Sequence, residues 1–341
     1  MFEFSVIVLN WNGKHFLETC LSALRRQTCR DFEAILVDNG SDDGSVEFVR
    51  AKFPEVRLVA LANNIGFAAG NQAGYEVASG EWIVLLNNDT EADAGWLAAL
   101  KRAAREFPEA GTLACKMTYF DDRDRIDNCG FDLTAAGSTI DLGRGDRNGA
   151  YWAVSQAVFG GCGGAVAYRR KMLEEIGFFD PDFFMTYEDV DLSFRARLRG
   201  YDCFFVPQAI VHHRYRATMK NYPARQVYFS QRNIEYLYLK NMPLGLIVRY
   251  LPQRILYELG AALYFVRLGV GRAFFQAKLD ALLQVPSILK KRKIIQHGKT
   301  ISSNELRAML VPHQLPAKWT KFWSAWQRPI TSPTNNSPAG S

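Results

Sequence analysis

The chain has 341 residues, of which 48% are hydrophobic and 22% charged, and its net charge is +6. This length allows two domains, or one large α/β domain with an appendage, and the composition excludes a largely disordered chain. The six cysteines form no CxxC pair and no Cys/His spacing suited to zinc, which excludes a zinc module and indicates free thiols in a reducing compartment.

The first part of the chain alternates predicted strands and helices. Apolar runs rich in β-branched residues predict strands, and apolar residues at spacings of three and four predict helices. The strands are predicted at 4–9, 33–37, 57–61 and 82–86, with helices at 14–27 and 94–107 and a helix start within 63–71. This order predicts an α/β fold, Rossmann-like, with a mostly parallel sheet flanked by helices.

Polar side chains follow two of these strands at the points where the strands end. Asp38 follows the second strand, and Asn87, Asn88 and Asp89 end the fourth. Ligands of parallel α/β sheets bind outside the carboxyl ends of the strands, and Mg²⁺ or Mn²⁺ prefers carboxylate and amide oxygens. We therefore expect a cation and phosphate site at this edge, with an ordinary Asn/Asp turn as the alternative. Asp38 is placed to accept hydrogen bonds from a ribose or a base, whereas the GxGxxG of dinucleotide-binding oxidoreductases is missing.

Two segments after the predicted strand at 113–119 have unusual compositions. The polar segment 121–150 is predicted to be an irregular surface excursion over the site, because loops of that length are more often functional than idle. The segment 159–164 contains four glycines. It indicates either a close approach of the backbone to another group or a tight turn before a strand at 165–168.

Three carboxylates, Glu188, Asp189 and Asp191, follow the aromatic run at 183–184. Aromatic surroundings raise the pKa of a carboxylate, which a general base requires, and this favours Asp189 as a base. For Asp191 the pattern favours an acidic helix N-terminus, stabilised by the helix dipole.

Two adjacent histidines, His212 and His213, end a predicted pair of strands at 204–207 and 210–214. In a site rich in carboxylates such a pair indicates a metal or phosphate contact. The alternative is a structural role in the strand.

Four segments in register resemble the motifs of inverting glycosyltransferases of family 2, which have the GT-A fold. Within that family the chain is most similar to bacterial rhamnosyltransferase-like enzymes of polysaccharide assembly. The resemblance covers about residues 4–240. The segments are 37–41, 64–71, 85–90 and 187–195, followed by the two histidines.

On the donor side, the resemblance implies that Asp38 holds the nucleotide base or ribose and that Asp89 binds the Mg²⁺ or Mn²⁺ bridging the donor diphosphate. One of His212 and His213 is implied to face the metal or the diphosphate. The further donor-binding residues implied are Asn10, Asn64, Gly66, Asn71 and Asn88.

On the acceptor side, the resemblance implies that Asp189, of the pair Glu188 and Asp189, deprotonates the acceptor hydroxyl. The chain departs from the family pattern at Asn87 and Asn88, where other members carry Asp. This difference lowers the negative charge of the implied cation site.

The region from 226 to about 293 is predicted to be helical, but charges interrupt every apolar run before it reaches the roughly 20 residues of a spanning helix. Between 241 and 299, ten Lys or Arg residues stand against two acids, a balance of +8 that exceeds the net charge of the whole chain. Helices that mix Leu, aromatic and basic residues in this way predict adsorption to the anionic inner face of the cell membrane. The alternatives are a helical subdomain packed on the core or a dimer contact.

These features predict a catalytic domain over 1–235, a basic helical membrane-surface region over 236–300 and a tail over 301–341, disordered after about 324. No basic segment followed by an apolar one opens the chain, so no signal peptide is expected and the predicted location is cytoplasmic, peripheral on the membrane. The expected function is inverting transfer of a sugar, with rhamnose from dTDP-rhamnose as the donor, to a glycan or lipid-linked glycan of the cell surface. The alternative is a non-catalytic module that binds nucleotide sugars or membranes. Nucleic acid is not an expected partner, because no recognised nucleic-acid motif accompanies the basic segment.

Overall fold

The structure is a computed structural model that describes residues 2–214 and 223–311. The strands are β1 (Phe4–Asn10), β2 (Phe32–Asp38), β3 (Arg57–Ala60), β4 (Trp82–Asn87), β5 (Thr90–Ala92), β6 (Ala110–Tyr119), β7 (Ile126–Asn128), β8 (Phe131–Leu133), β9 (Thr139–Asp141), β10 (Gln156–Ala157), β11 (Ala165–Arg169) and β12 (Asp202–His213). The helices are α1 (Lys14–Arg25), α2 (Ser45–Lys52), α3 (Phe67–Val77), α4 (Trp96–Glu106), α5 (Arg170–Ile176), α6 (Glu188–Leu198), α7 (Pro223–Asn241), α8 (Leu244–Arg267), α9 (Gly271–Leu283), α10 (Val285–His297) and α11 (Ser303–Met309).

The main sheet has the strand order β10-β12-β6-β11-β4-β1-β2-β3. Strands β4, β1, β2 and β3 are parallel, whereas β11 runs antiparallel between β4 and β6. The predicted α/β class with a mostly parallel, helix-flanked sheet is confirmed. Because β1 and β4 are neighbours in register, their carboxyl ends, Asn10 and Asn87, open on the same edge of the sheet.

Successive side chains of the central strands point to opposite faces of the sheet, and helices cover both faces. Val6 and Val8 of β1 are fully buried in one apolar cluster with residues of α1 and α4. Ile7, between them, belongs to a second cluster with residues of α3, α5 and α6. Full burial of one such side chain stabilises the fold by about 1.5–3 kcal/mol, so these strands can exist only inside a helix-covered sheet.

Two predictions about local structure were wrong. The segment 121–150, predicted to be irregular, contains the short strands β7, β8 and β9, and Ile126 and Leu133 in it are fully buried. Strands of three residues are too short to produce a readable alternation pattern. The predicted strand pair at 204–207 and 210–214 is the single strand β12, which has a register shift between Val206 and Ile210. Pro207 lies in that interval and has no N–H to donate to the ladder.

The C-terminal region is helical, as predicted, and Met1–Val311 forms one compact unit. The predicted boundary at residue 235 falls within α7, whose residues pack in one apolar cluster with residues of α6. A buried lysine, Lys240 of α7, pairs with Asp180 at 2.7 Å and Asp191 at 2.8 Å. Among the helices of the described ranges, none is both long enough and apolar enough to cross a bilayer. The tail predicted after residue 324 lies outside the described residues.

Candidate active site

The ends of β1 and β2 are joined by a buried polar network. Asn10 Nδ2 donates to Asp38 Oδ2 at 3.0 Å, and the Ser41 N–H donates to Asp38 Oδ1 at 2.9 Å. Asn88 Nδ2, from the end of β4, donates to Asn10 Oδ1 at 2.7 Å. Three residues implied to bind the donor, Asn10, Asp38 and Asn88, are therefore brought together at the carboxyl edge of the sheet, as the strand pattern predicts.

A second network holds the turn before α3. Asn39 Nδ2 donates to Asn64 Oδ1 and to the Gly66 carbonyl, both at 3.2 Å, and Asn64 Oδ1 also accepts the Gly66 N–H at 2.9 Å. Asn71 lies inside α3, is buried, and donates to the Phe67 carbonyl one turn earlier. Asn64 and Gly66 thus adjoin the Asp38 network through Asn39, whereas Asn71 contributes to the packing of the helix.

The start of α3 is in direct contact with the loop that precedes the acidic stretch. The N–H groups of Phe67 and Ala68 donate to the Phe184 carbonyl at 2.6 and 3.2 Å. A Cβ on Gly66 would lie 2.6 Å from that same carbonyl oxygen, and Gly66 has a φ of 92°. Glycine is therefore required at this position, because no other residue fits both the conformation and the space.

Asp89 lies opposite His213, and Asp127 lies behind that histidine. His213 Nε2 is 3.4 Å from Asp89 Oδ1, and His213 Nδ1 is 2.7 Å from Asp127 Oδ2. Burial lowers the pKa of His213, but the hydrogen bonds and charges of Asp127 and Asp89 outweigh burial and raise the pKa from 6.5 to about 9. The imidazole is thus oriented by one carboxylate toward another, which is the arrangement of many metal-binding histidines.

The donor set at Asp89 fits a divalent cation. Asp89 is 7% exposed, and its buried Oδ1 faces His213 Nε2 at 3.4 Å. Across residues 2–214 and 223–311 no three His, Cys, Asp or Glu side chains form a metal cage by themselves. A cation bound by Asp89 and His213 would complete its coordination with phosphate oxygens and water, as Mg²⁺ commonly does.

His212 is not brought to Asp89, which corrects its assignment as a metal ligand. Its Nδ1 lies 2.7 Å from Thr118 Oγ1 and its Nε2 lies 2.9 Å from Asp93 Oδ1, so both ring nitrogens have other partners. Adjacent residues of a strand point to opposite faces, so only one of the two histidines can face the site. That histidine is His213.

Asp189 is at the start of α6 and is half-buried. Its Oδ2 accepts the Gly163 N–H and its Oδ1 accepts the Val190 N–H, both at 2.8 Å. Burial raises the pKa of Asp189 above its usual value, although these two N–H groups act in the opposite direction. Such a carboxylate is more basic than an exposed one and suits proton abstraction.

Glu188, the neighbouring carboxylate, is only 6% exposed. Burial and then the charge of Asp189 raise the pKa of Glu188 well above its usual value. A carboxyl group whose pKa is raised in this way ionises less readily than an exposed one.

The segment with four glycines connects the two acidic sites. Gly163 donates its N–H to Asp189, and the carbonyl of the next residue, Gly164, accepts the Asn87 N–H at 2.9 Å. Asn87 ends β4, and Asp89 follows two residues later. Asp89 and Asp189 are thus attached to opposite ends of one short backbone bridge, at the same edge of the sheet.

The other acidic residue of the stretch has the structural role that its position indicated. Asp191 is fully buried in the first turn of α6, where Arg195 Nε lies 2.9 Å from its Oδ2. Lys240 Nζ lies 2.8 Å from its Oδ1, and Asn241 Nδ2 donates to the same oxygen at 2.7 Å. These contacts hold α6 against α7.

Sequence reasoning missed Asp127, which lies in the segment predicted to be irregular. The signal that could have found it is weak, because Asp127 is the middle residue of the three-residue strand β7, between an Ile and an Asn. It also missed Asn233 on α7, whose contacts with the loop before Asp189 are described below. Nothing in the local sequence around either residue indicates a partner 86 or 47 positions away.

The family model of glycosyl transferase family 2 matches residues 5–177, about half of the chain. The chain is 28% identical over 243 residues to the N-acetylglucosaminyl-diphospho-decaprenol L-rhamnosyltransferase of Mycobacterium tuberculosis, a match that covers 62% of this chain and 76% of that protein. It is also 27% identical over 227 residues to the O-antigen biosynthesis protein RfbC of Myxococcus xanthus, which covers 61% of this chain and 17% of that protein.

Two solved structures share the fold. The structure of GalNAc-T7 with UDP, GalNAc and Mn²⁺ matches with a TM-score of 0.57 and 15% identity, over 70% of this chain and 48% of that one. The structure of S. aureus TarS matches with a TM-score of 0.55 and 17% identity, over 87% of this chain and 52% of that one. The chain thus spans about half the length of each, and the likeness is one of fold, the GT-A fold.

Proposed function

Since this chain belongs to glycosyltransferase family 2 and has the GT-A fold, we propose that it transfers L-rhamnose from dTDP-rhamnose, with inversion, to a lipid-linked glycan of the cell surface. The observation that carries this proposal is the backbone bridge between Asp89 and Asp189. It holds Asp89, the proposed cation ligand, and Asp189, the proposed base, at one sheet edge and on different elements. Inverting transfer needs these two groups on opposite sides of the reacting sugar carbon.

The acceptor side of the reaction is assigned to Asp189. Its carboxylate takes the proton of the acceptor hydroxyl while the hydroxyl oxygen forms a bond to the anomeric carbon of the donor. The bond from that carbon to the diphosphate oxygen breaks, and its electron pair leaves with the nucleoside diphosphate. Glu188 is buried beside Asp189, and burial and then the charge of Asp189 raise the pKa of Glu188.

The donor side is assigned to the residues that line the strand ends. Asp89 and His213 would hold Mg²⁺ or Mn²⁺, which would stabilise the negative charge that develops on the leaving diphosphate. Asn10, Asp38 and Asn88 would form the wall for the nucleoside, held in place by their own hydrogen bonds. Asn87 and Asn88 in place of acids make this wall less negative than an acidic motif would.

The transfer proposal is tested by replacing the base. Asp189→Asn should abolish transfer from dTDP-rhamnose to a GlcNAc-diphospho-lipid while the affinity for dTDP stays unchanged. Asp132→Asn is the matched control, because Asp132 is also half-buried, also accepts a main-chain N–H, and also has a raised pKa. Near wild-type turnover by the Asp189 variant would remove Asp189 from the mechanism.

The identity of the donor is tested separately from the mechanism. Binding to the native state alone raises apparent thermal stability. In a panel of nucleotide sugars with Mg²⁺ or Mn²⁺, dTDP-rhamnose should give the largest shift, and product formation should follow the same order. A larger shift and faster turnover with another sugar nucleotide would replace rhamnose in the proposal. Binding without turnover of any donor would favour the non-catalytic module.

The proposed acceptor places the enzyme at a membrane, and α8 carries a surface suited to one. Its exposed aliphatic residues recur at spacings of three and four, so they form one stripe along the helix; they are Leu244, Val248, Leu251, Ile255, Leu259, Leu263 and Val266, each 48–67% exposed. An apolar stripe of this size on a helix is typical of interfacial adsorption. Arg249 and Arg272 are exposed on or beside α8 and complement anionic lipid headgroups.

Not every basic residue of this region is available to lipid headgroups. Arg254 is buried against Glu235 and Glu258, and Lys278 pairs with the same two glutamates. Two further basic residues stabilise the fold rather than face a partner; Lys291 binds Asp180 and Asp182, and Arg292 donates to the carbonyls of Leu239 and Met242. Four of the ten basic residues counted in the sequence therefore hold helices together.

Vesicle binding tests the membrane proposal. The wild-type protein should sediment with phosphatidylglycerol vesicles, and the double variant Ile255→Ser with Leu259→Ser should remain in the supernatant. Val154→Ser is the control, because Val154 is at least as exposed, at 65% against 51% for Ile255 and 59% for Leu259, but lies outside α8. Full activity on the lipid acceptor with no vesicle binding at low salt would contradict the proposal.

A further inference from the structure

The loop before Asp189 is held by one side chain from the C-terminal helical region. Asn233 of α7 is fully buried, and its Nδ2 donates to the carbonyls of Phe183, Met185 and Thr186 at 2.7, 2.8 and 2.8 Å. An amide nitrogen has two hydrogens, so three acceptors share them through at least one three-centred hydrogen bond. One side chain therefore holds three of the carbonyl groups of this loop in place.

The loop needs such a contact because its backbone is strained. Phe184, Thr186 and Tyr187 have φ values of 57°, 64° and 69°. A positive φ is unfavourable for a residue with a Cβ, and Thr is β-branched, which makes it less suited still. A loop with three such residues persists only where its surroundings impose it.

The same loop leads directly to both halves of the proposed active site. Tyr187 is the N-cap residue of α6, so its conformation sets the orientation of the first turn of α6, which carries Asp189. The Phe184 carbonyl accepts the first two N–H groups of α3, next to the donor-side glycine. Arg232, adjacent to Asn233, supports the beginning of the loop by donating to the carbonyls of Asp182 and Phe183.

We propose that Asn233 is a positioning residue for the transfer reaction: it holds the loop 183–187 in the left-handed conformation that directs Asp189 at the acceptor. This inference rests on the proposed role of Asp189 as the base. Asn233 acts through the backbone and is not itself a catalytic residue. Misplacing a reacting group by about 1 Å can cost about 100-fold in rate, so losing the contact should be visible in turnover.

The test compares two buried asparagines of the same helix. Asn233→Ala removes the donor to the loop, whereas Asn241→Ala removes a fully buried Asn whose Nδ2 donates to Asp191. Both variants lose a buried hydrogen-bonding side chain from α7, and only the first loses contact with the loop. Wild-type transfer is measured first, so a failure of the proposed function is seen before either variant is compared.

Asn233→Ala should lower kcat at least about 10-fold while the donor KM changes less than about threefold, since the donor wall has its own network. Burial is the largest cause of the raised pKa of Asp189, so a loosened loop that admits water should move the acid limb of the kcat profile to lower pH. Asn241→Ala should leave the acid limb in place. Equal kcat values and equal acid limbs in the two variants would overturn the proposal.

A second-site change provides a further decisive result. Thr186→Gly relieves the left-handed strain at φ 64° and removes a buried hydroxyl that has no hydrogen bond within the described residues. Adding it to Asn233→Ala should restore part of the lost kcat, and no recovery of kcat in the double variant would count against a role of Asn233 through this loop. If Asn233→Ala does not fold, Asn233→Ser is used, and amide exchange at residues 184–187 is compared with that of Asn241→Ser. Faster exchange in the first variant supports the proposal, and equal exchange overturns it.

Discussion

Gly66→Ala should destabilise the protein and damage catalysis through a single backbone contact. Gly66 has φ 92° and ψ 170°, a combination that is essentially restricted to glycine and costs other residues of order 1–3 kcal/mol. The new Cβ would also lie 2.6 Å from the Phe184 carbonyl oxygen and 2.7 Å from its ring. Overpacking of this kind costs about 1–3 kcal/mol. Together the two effects predict a loss of about 2–6 kcal/mol in the free energy of unfolding.

The same substitution pushes the Phe184 carbonyl away from the two N–H groups of α3 that donate to it. It therefore displaces the loop that leads to Asp189. We therefore expect donor affinity and kcat to fall together. Urea unfolding and transfer kinetics measure the two effects, with Gly95→Ala as the control, because a Cβ on Gly95 meets no atom within 4 Å. A Gly66→Ala protein within about 0.5 kcal/mol of wild type would refute the reasoning, since that is the scatter of ordinary surface substitutions.

Two further predictions concern carboxylates outside the reaction itself. Asp127→Asn should weaken Mn²⁺ binding about 10- to 100-fold in a titration with dTDP present, because Asp127 orients His213. The control is Asp93→Asn, which changes the partner of the neighbouring His212 and should leave Mn²⁺ binding unaltered. Asp180→Asn should cost about 3 kcal/mol at pH 7. Burial raises the pKa of Asp180, but its two lysine partners outweigh burial and hold that pKa below its usual range, so this stabilisation is present above about pH 4 and is lost as pH falls through the lowered pKa. Urea unfolding measures the cost of Asp180→Asn, which should be smaller at pH 3 than at pH 7; an equal cost at both pH values would contradict the prediction. The control is Asp182→Asn, at an exposed position, which should cost under about 1 kcal/mol.

The central sheet could be predicted because its strands are buried on both faces and end in polar residues. The apolar run of β1 and the abrupt change at Asn87–Asp89 depend only on local sequence. The grouping of Asp38 and Asn88 followed from the rule that parallel strands present their carboxyl ends together, whereas Asn10 was implied by the resemblance.

What could not be predicted depends on contacts between distant segments. Which histidine faces Asp89 is set by the pleat of β12 after its register shift, and the position of the shift is not legible from residue types. The partnership of His213 with Asp127 requires the path of the segment after β6. The amide of Asn233 is visible in the sequence only as one of several polar residues of a helix, next to Gln231 and Arg232.

The Phe184 carbonyl accepts two N–H groups, and this limits how the enzyme can be engineered. The segment that opens α3 and the segment that precedes Asp189 share main-chain hydrogen bonds, and so neither can be exchanged as a separate cassette. Grafting a new sugar preference from a homologue would require residues 64–71 and 183–189 to be transplanted as one unit, with the asparagine of α7 kept beneath them.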